Sequence, residues 1–369
     1  MSGAVVHVAV PGGAYEVRVG PGELDRLGDS ARAVFDRSSC ALVTDSRVAP
    51  LYADRAELSL RSVGLDVIRL TVPAGERTKD WARAGRLLES MSDAGLGRDA
   101  FVVALGGGVV GDLAGFCASV YLRGLPVIQV PTTLLAQVDS AIGGKTGVDL
   151  PRGKNLVGSF WQPALVVSDT DLLSTLPEVE WRSGLAEVAK SAFLASDEAV
   201  RGLEADATDL LAREATAVAR AVAMSAGLKA EVVSGDERES ADRECLNLGH
   251  TLAHALEREL GYGTITHGAA VAEGLRFAAA VSERVAGVTP GWGRRQGDLL
   301  DSLGLESAGA ACGLADLLGA MGSDKKVRAG RIRFVLSTGP GAWCVEPVDG
   351  DVLSDLLEVY CQESTGGER

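Results

Sequence analysis

The sequence has 369 residues, enough for one large or two moderate domains with a sizeable core. Hydrophobic residues at 46% and charged residues at 23%, with 46 glycines and 12 prolines spread along the chain, exclude collagen-like and disordered classes. A net charge of −14 argues against a nucleic-acid partner, which needs a basic face. No apolar run reaches the roughly 18 residues of a membrane span, and the N-terminus MSGAVVHVAV lacks the basic-then-apolar order of a signal peptide. The six cysteines (Cys40, Cys117, Cys245, Cys312, Cys344, Cys361) show no paired spacing, so reduced thiols and a cytoplasmic setting are expected.

In chain order, VVHVAVPGGAYEVRVG alternates on both sides of Pro11-Gly12-Gly13 and predicts a β-hairpin at a sheet edge. The runs CALVTDS (40–46), DVIRLTVP (66–73), AFVVALGGG (100–108), PVIQVPTT (126–133) and ALVVSDT (164–170) alternate with amphipathic stretches. That order predicts a Rossmann-like α/β domain with a mainly parallel sheet over residues 1–177. Nine of the twelve prolines lie at or before Pro177, and 112 residues separate it from Pro290. With the Ala-rich periodic stretches DEAVRGLEADATDLLAREATAVARAVAMSAGLKAEVV and LNLGHTLAHALEREL, this predicts an all-α second domain over 178–369.

Three groups of residues carry chemistry. In FVVALGGGVVGDLAGF a strand runs into a glycine turn and a helix start, and Gly106-x-Gly108-x-x-Gly111 satisfies the dinucleotide fingerprint. The acid expected about 20 residues later is missing, because PVIQVPTTLLA stands there; Asp45 and Glu76 are the substitutes on offer. In VDSAIGGKTGVDLPRGKNLVG, Lys145 and Lys154 stand among glycines with Asp139 and Asn155 close by, which suits an anionic substrate. The spacing of a P-loop is absent. In the second half, His250 and His254 are one helical turn apart, His267 follows, and Glu187 and Lys190 share a face at i,i+3. Two histidines and a glutamate with an open fourth position describe a catalytic zinc site, and the spacing leaves open which of His250 and His254 is the ligand.

Lysine is scarce: seven residues, Lys79, Lys145, Lys154, Lys190, Lys229, Lys325 and Lys326, against 29 arginines. Where arginine fills ordinary surface positions, the remaining lysines are expected where a compact ammonium fits and a guanidinium fork does not.

The blocks GGGVVGDLAGF, QVPTTLLAQVDSAIGGKTGVDLPRGKNLVGSFWQP, SGLAEVAK, KAEVVSGDERE, LNLGHTLAHALE, THGAAV and SDKKVRAGRIRFVL, spread over about residues 40 to 340, resemble in order and spacing the 3-dehydroquinate synthase family of sugar phosphate cyclases. The resemblance implies a zinc, or cobalt, ion on Glu187, His250 and His267, with His254 left as the acid/base. It implies NAD across the first domain: Asp45, Glu76 and Lys79 near the adenosine, and Gly106, Gly107 and Gly108 at the pyrophosphate. Asp112, Thr132, Thr133, Asp139, Lys145, Lys154 and Thr175 would reach the rest of the cofactor or the reacting end. The implied substrate is 3-deoxy-arabino-heptulosonate 7-phosphate, with Lys145, Asn155 and Lys325 or Lys326 on its phosphate, and Lys190, Lys229, Arg243 and Asn247 on its carboxylate and hydroxyls. Arg123 would reach a neighbouring subunit's phosphate site, which implies a homodimer.

The implied chemistry is redox-neutral. Oxidation of one carbinol acidifies the neighbouring C–H, phosphate is eliminated, the hydride is returned, and ring opening with an intramolecular aldol step closes the carbocycle. The resemblance departs at Ala269, where many relatives carry glutamate, so a hydrogen bond from that position to the preceding histidine is not expected. Two other enzyme readings compete: a cyclase acting on an aminated substrate in a secondary-metabolite pathway, and a metal-dependent polyol dehydrogenase. The neutral substrates of the latter do not call for Lys145, Lys154, Lys190 and Lys229 together.

Overall fold

The computed structural model describes residues 3–239, 242–261, 264–307, 312–322, 327–328 and 331–365. The chain divides into two compact units, one of Met1–Pro177 with Val218–Arg238, the other of Glu178–Ala217 with Glu239–Arg369.

In the first unit the predicted hairpin forms from β1 (Ala4–Val10) and β2 (Gly13–Gly20), and the five apolar runs become β3 (Ser39–Asp45), β4 (Asp66–Val72), β5 (Ala100–Gly106), β6 (Val127–Pro131) and, after two further strands, β9 (Leu165–Asp169). Those two, β7 (Lys145–Leu150) and β8 (Gly153–Phe160), form a separate antiparallel pair in the glycine-rich stretch. The main sheet runs β1-β2-β9-β6-β5-β3-β4, and β1–β2 is its one antiparallel pairing. β5 is buried along its whole length because both faces are covered. Its alternation sends Phe101, Val103 and Leu105 into one core and Val102 and Ala104 into the other.

Topology locates the first candidate site. From β3 the chain moves outward to β4, then returns to place β5 on the other side of β3. In an open parallel sheet, that reversal leaves a crevice at the C-terminal ends of the two strands, the usual place for a ligand. Asp45 ends β3 and Gly106 ends β5, and the strands are in register through Thr44 and Leu105.

The Ala-rich stretch yields a helix over Ala215–Gly235. Most of it belongs to the first unit: the Ala9 amide donates to Ser234 Oγ at 3.0 Å, and Gln162 Nε2 donates to Glu237 Oε1 at 3.1 Å beyond its end.

The body of the second unit is helical, with helices Glu178–Ala195, Asp197–Leu211, His250–Glu259, His267–Val285, Trp292–Ser302, Leu314–Gly322 and Gly350–Thr365. The all-α expectation is corrected near its end, where β10 (Val327–Arg328), β11 (Arg331–Gly339) and β12 (Ala342–Val348) form an antiparallel sheet. The signal was present: RIRFVLSTGPGAWCVEPV has apolar residues at alternate positions around a Gly-Pro-Gly turn, the pattern that predicted the N-terminal hairpin. Among the described residues, no helix is long and apolar enough to cross a membrane.

Candidate active site: a glycine turn with buried lysines and a three-residue metal centre

Gly106 closes β5, Gly107 caps the helix Gly108–Val120, and the N-terminus of that helix therefore opens at the crevice. Side chains would be crowded there. A Cβ on Gly106 would lie 2.6 Å from Val110 Cβ, and one on Gly107 or Gly108 would come within 3.0 Å of Thr133 or Ser140. Exposed amides at a helix start without side chains in front of them suit a pyrophosphate. Thr132 is held beside the turn by its amide, which donates to the Gly106 carbonyl at 3.0 Å, and the Thr133 hydroxyl accepts from the Ala136 amide at 3.2 Å. Asp45 Oδ1 accepts from the amides of Arg47 and Val48 at 2.8 and 2.9 Å, which fixes the carboxylate at the end of its strand. Thr175 pairs with the Tyr52 hydroxyl at 2.6 Å.

The lysines divide into two groups. Lys79, only 4% exposed, contacts both the Asp112 carboxylate and Asn155 Oδ1, and Lys229, 8% exposed, contacts Asp139. Burial would lower the Lys79 ammonium, but Asp112 outweighs it and the net shift is upward. On the partner, burial raises the Asp112 carboxyl to about 6 against the pull of Lys79. Both remain charged at neutral pH. Lys145 by contrast is exposed on β7, and Lys154 lies 3.6 Å from the exposed Glu76 on the neighbouring loop. The room for a fork at Lys145 removes the steric argument from scarcity there, while Lys79, Lys190 and Lys229 satisfy it. Lys325 and Lys326 lie outside the described residues.

In the second unit, Glu187, His250 and His267 converge. Two close approaches bring their helices together: a Cβ on Gly268 would fall 2.2 Å from Ser183 Cα, and one on Gly274 would fall 1.9 Å from the Gly249 carbonyl oxygen. Gly249 itself has φ 79°, a left-handed turn that starts the helix at His250. Thr266 caps the helix beginning at His267 by accepting from the Ala269 amide at 3.2 Å. Glu187 Oε1 then lies 3.5 Å from His250 Nε2 and 3.3 Å from His267 Nε2. A tetrahedral ion with bonds of about 2.0–2.2 Å sets its ligand atoms about 3.3–3.6 Å apart, so these separations fit a zinc-type centre.

The charges agree with the geometry. Burial and the Lys190 charge hold the His250 imidazole well below its ordinary pKa, so it is neutral. Its Nδ1 lies 3.1 Å from the Leu248 carbonyl and must donate to it, which leaves Nε2 with a lone pair. That lone pair faces the lone pairs of Glu187 Oε1 at 3.5 Å, an acceptor against an acceptor, which suits a cation held between them. Both Glu187 oxygens are buried without a well-formed hydrogen bond. Burial alone would raise the Glu187 carboxyl, yet Lys190, His267 and His250 keep it well below the usual carboxylate range. Lys190 touches Glu187 directly, with the two side chains 2% and 1% exposed. Burial would lower His267 too, but the Glu187 and Glu257 carboxylates beside it push it up to about 10.

His254 stands one turn after His250, exposed, with ring centroids 5.5 Å apart, and is not one of the three clustered side chains that could hold a metal. Arg243 is 1% exposed in the turn Asp242–Asn247, and Asn247 Nδ2 donates to Glu239 Oε1 at 3.3 Å. Arg123, Asn155 and Glu239 have φ of 70°, 55° and 57°, unusual for residues with side chains and frequent where a site holds its backbone. Sequence reasoning missed Glu239 and Glu257. Glu257 was detectable in principle, because it lies seven residues after His250 on the same helical face.

Two family models cover the chain in succession. One, described as 3-dehydroquinate synthase N-terminal, matches residues 69–183, and the other, 3-dehydroquinate synthase C-terminal, matches residues 184–327. The 3-dehydroquinate synthase of Bordetella pertussis (strain Tohama I) is 46% identical over 332 residues, 90% of this chain and 92% of that protein. Among solved structures, 2-epi-5-epi-valiolone synthase from Streptomyces hygroscopicus subsp. jinggangensis 5008, with NAD+ and Zn2+ bound, has a TM-score of 0.85 at 26% identity, covering 95% of this chain and 97% of that one. The fold is also that of 2-deoxy-scyllo-inosose synthase complexed with carbaglucose-6-phosphate, NAD+ and Co2+, at a TM-score of 0.89 and 24% identity over 97% and 100% of the two chains. With matching models over both halves and near-half identity over nine tenths of its length, the chain belongs to the 3-dehydroquinate synthase family.

Proposed function

We propose that this enzyme is an NAD- and metal-dependent 3-dehydroquinate synthase, which converts 3-deoxy-arabino-heptulosonate 7-phosphate to 3-dehydroquinate and phosphate. The observation that carries the reading is the neutral His250 imidazole aimed, lone pair first, at the buried Glu187 carboxylate. The 46% identity to a 3-dehydroquinate synthase over 90% of this chain supports this substrate.

Glu187, His250 and His267 would hold a zinc or cobalt ion, and the crevice between β3 and β5 would hold NAD with its pyrophosphate at Gly106, Gly107 and Gly108. When bound, the two supply Lewis acidity and reversible hydride acceptance. The chain's own groups do the rest. Asp45 and Glu76 would bind the adenosine end, and Thr132, Thr133, Lys154 and Thr175 would orient the remainder. Asp112 keeps Lys79 charged inside the protein, where a bare ammonium would tend to lose its proton, and Asp139 pairs with the buried Lys229. Lys145 and Asn155 would take the substrate phosphate, while Lys190, Lys229, Arg243 and Asn247 would orient its carboxylate and hydroxyls. His254, outside the ligand set and exposed, would move protons. The test is the cofactor stoichiometry: NAD well below the substrate concentration should support complete phosphate release with no lasting NADH absorbance. NADH accumulating in proportion to product would instead identify a polyol dehydrogenase.

A homodimer belongs to the same proposal. Arg123 sits beside the exposed Leu122 and Val120, Leu156 and Phe160 of β8 are exposed as well, and β8 pairs with β7 alone among the described residues. Such an edge with apolar neighbours fits a second copy of the chain. If Arg123 serves the partner's site, inactive Arg123→Ala and Lys145→Ala proteins should regain about a quarter of wild-type activity when mixed and allowed to exchange subunits, because half of the dimers then have one intact site. No recovery, with exchange confirmed by mass, would show that Arg123 acts within its own chain. Six free thiols, three of them buried, suit a reducing compartment such as the cytoplasm.

A further inference from the structure

The two imidazoles of the metal centre are supported differently. His250 Nδ1 faces a backbone carbonyl at 3.1 Å, whereas His267 Nδ1 faces the Glu257 carboxylate, whose Oε2 is 3.5 Å away. Glu257 is 8% exposed and lies on the helix that begins with His250, so the helix carrying one ligand also supports the other. A buried carboxylate behind a ligating imidazole fixes its tautomer, aims the opposite nitrogen and increases its basicity.

Ala269 sharpens the case. Thr266 is the N-cap of the helix His267–Val285, which makes residue 269 its third position. A glutamate in that place closes a capping box by reaching back to the N-cap amide, away from the imidazole two residues before it. Alanine there forgoes that capping contact, a matter of the helix start rather than of the histidine.

We propose that Glu257 is a positioning residue of the metal centre: its carboxylate accepts the Nδ1–H of His267 and so presents Nε2 to the ion alongside Glu187 and His250. This rests on the metal reading above. A carboxylate is the suitable partner here because His267 is the less enclosed of the two histidine ligands, its side chain 32% exposed against 11% for His250, and so has less packing to hold its ring. Glu257→Gln keeps the size and removes the charge.

The test is zinc affinity by chelator competition, together with the visible spectrum of the cobalt-substituted protein, neither of which depends on turnover. Glu257→Gln should bind zinc about 10- to 100-fold more weakly than wild type and shift the cobalt bands, with an unchanged far-ultraviolet circular dichroism spectrum. An affinity within about twofold of wild type and unchanged cobalt bands would overturn the role, since losses from such supporting contacts run to tenfold or more. Should Glu257→Gln fail to fold, Glu257→Asp, one methylene short of the ring, decides by the same two readouts. A wild-type protein that takes up no equivalent of zinc would overturn the metal reading and this inference with it, whereas a wild type that binds zinc beside an unaffected variant overturns this inference alone.

Discussion

His250→Ala is expected to lose stoichiometric zinc and, with it, about a thousandfold or more of turnover, because the ion's stabilisation of developing charge amounts to several kcal/mol. Removing one of three protein ligands leaves Glu187 and His267, too few to hold an open tetrahedral ion tightly. Metal content after dialysis and phosphate release from the heptulosonate phosphate measure the two halves of the expectation. A full equivalent of zinc retained by His250→Ala would refute the ligand assignment, and the contrasting variant His254→Ala should keep its zinc while losing activity. Zinc affinity should also rise with pH. His267 in the metal-free protein carries a proton up to about pH 10, and an imidazole must release it before Nε2 can ligate. His250 is already neutral and adds no second proton. Below pH 10 the apparent affinity should therefore climb about tenfold per unit for the one proton displaced, a slope that falls away once His267 is deprotonated. A pH-independent affinity between pH 6 and 9 would show that the ligands are already free of protons.

Lys190→Met is expected to destabilise the metal-free protein by about 3–5 kcal/mol, the usual cost of breaking a buried ion pair by removing one partner. Glu187 and Lys190 have side chains 1% and 2% exposed and touch on adjacent turns of one helix, so the carboxylate left behind has no water to turn to. Its remaining counter-charge is the protonated His267. Saturating zinc should recover a large part of the loss, because the ion takes over the neutralisation of Glu187 and stabilises the folded state by its binding. Urea denaturation with chelator and with zinc measures both terms. A difference below about 1 kcal/mol in chelator, the range of an exposed pair, would mean that the pair is worth no more than a surface contact. Lys190→Arg should fare little better, since the space that holds a compact ammonium beside Glu187 and two imidazoles does not admit a planar fork. At the exposed Lys145 the same substitution should be tolerated by the fold.

Local pattern determined a great deal of this protein. Continuous apolar runs bounded by turn residues yielded the parallel strands of the main sheet, since a strand buried on both faces needs apolar side chains at nearly every position. The glycine turn was legible because a Cβ there would meet its neighbours at 2.6 to 3.0 Å, tighter than side chains ordinarily pack. In the glycine-rich hairpin of β7 and β8, which no pattern signalled, the alternation is diluted by glycines that carry no side chain to report a face. Motif order did more than pattern, placing Glu187, His250 and His267 together although the first and last are 80 positions apart.

Tertiary structure alone decided which side chains meet. Spacing puts His250, His254 and Glu257 on one helical face, and nothing in that helix says which of them face Glu187 or His267. The choice is made by two glycine contacts, Gly268 on Ser183 and Gly274 on Gly249, which set the angle and depth at which three helices cross. The same holds for Lys79, which reaches Asp112 and Asn155 across 33 and 76 residues of sequence. A sequence records which groups must be buried and which are charged. The pairing that makes a buried charge tolerable depends on distances of a few ångströms between elements, and these are set only when the elements pack.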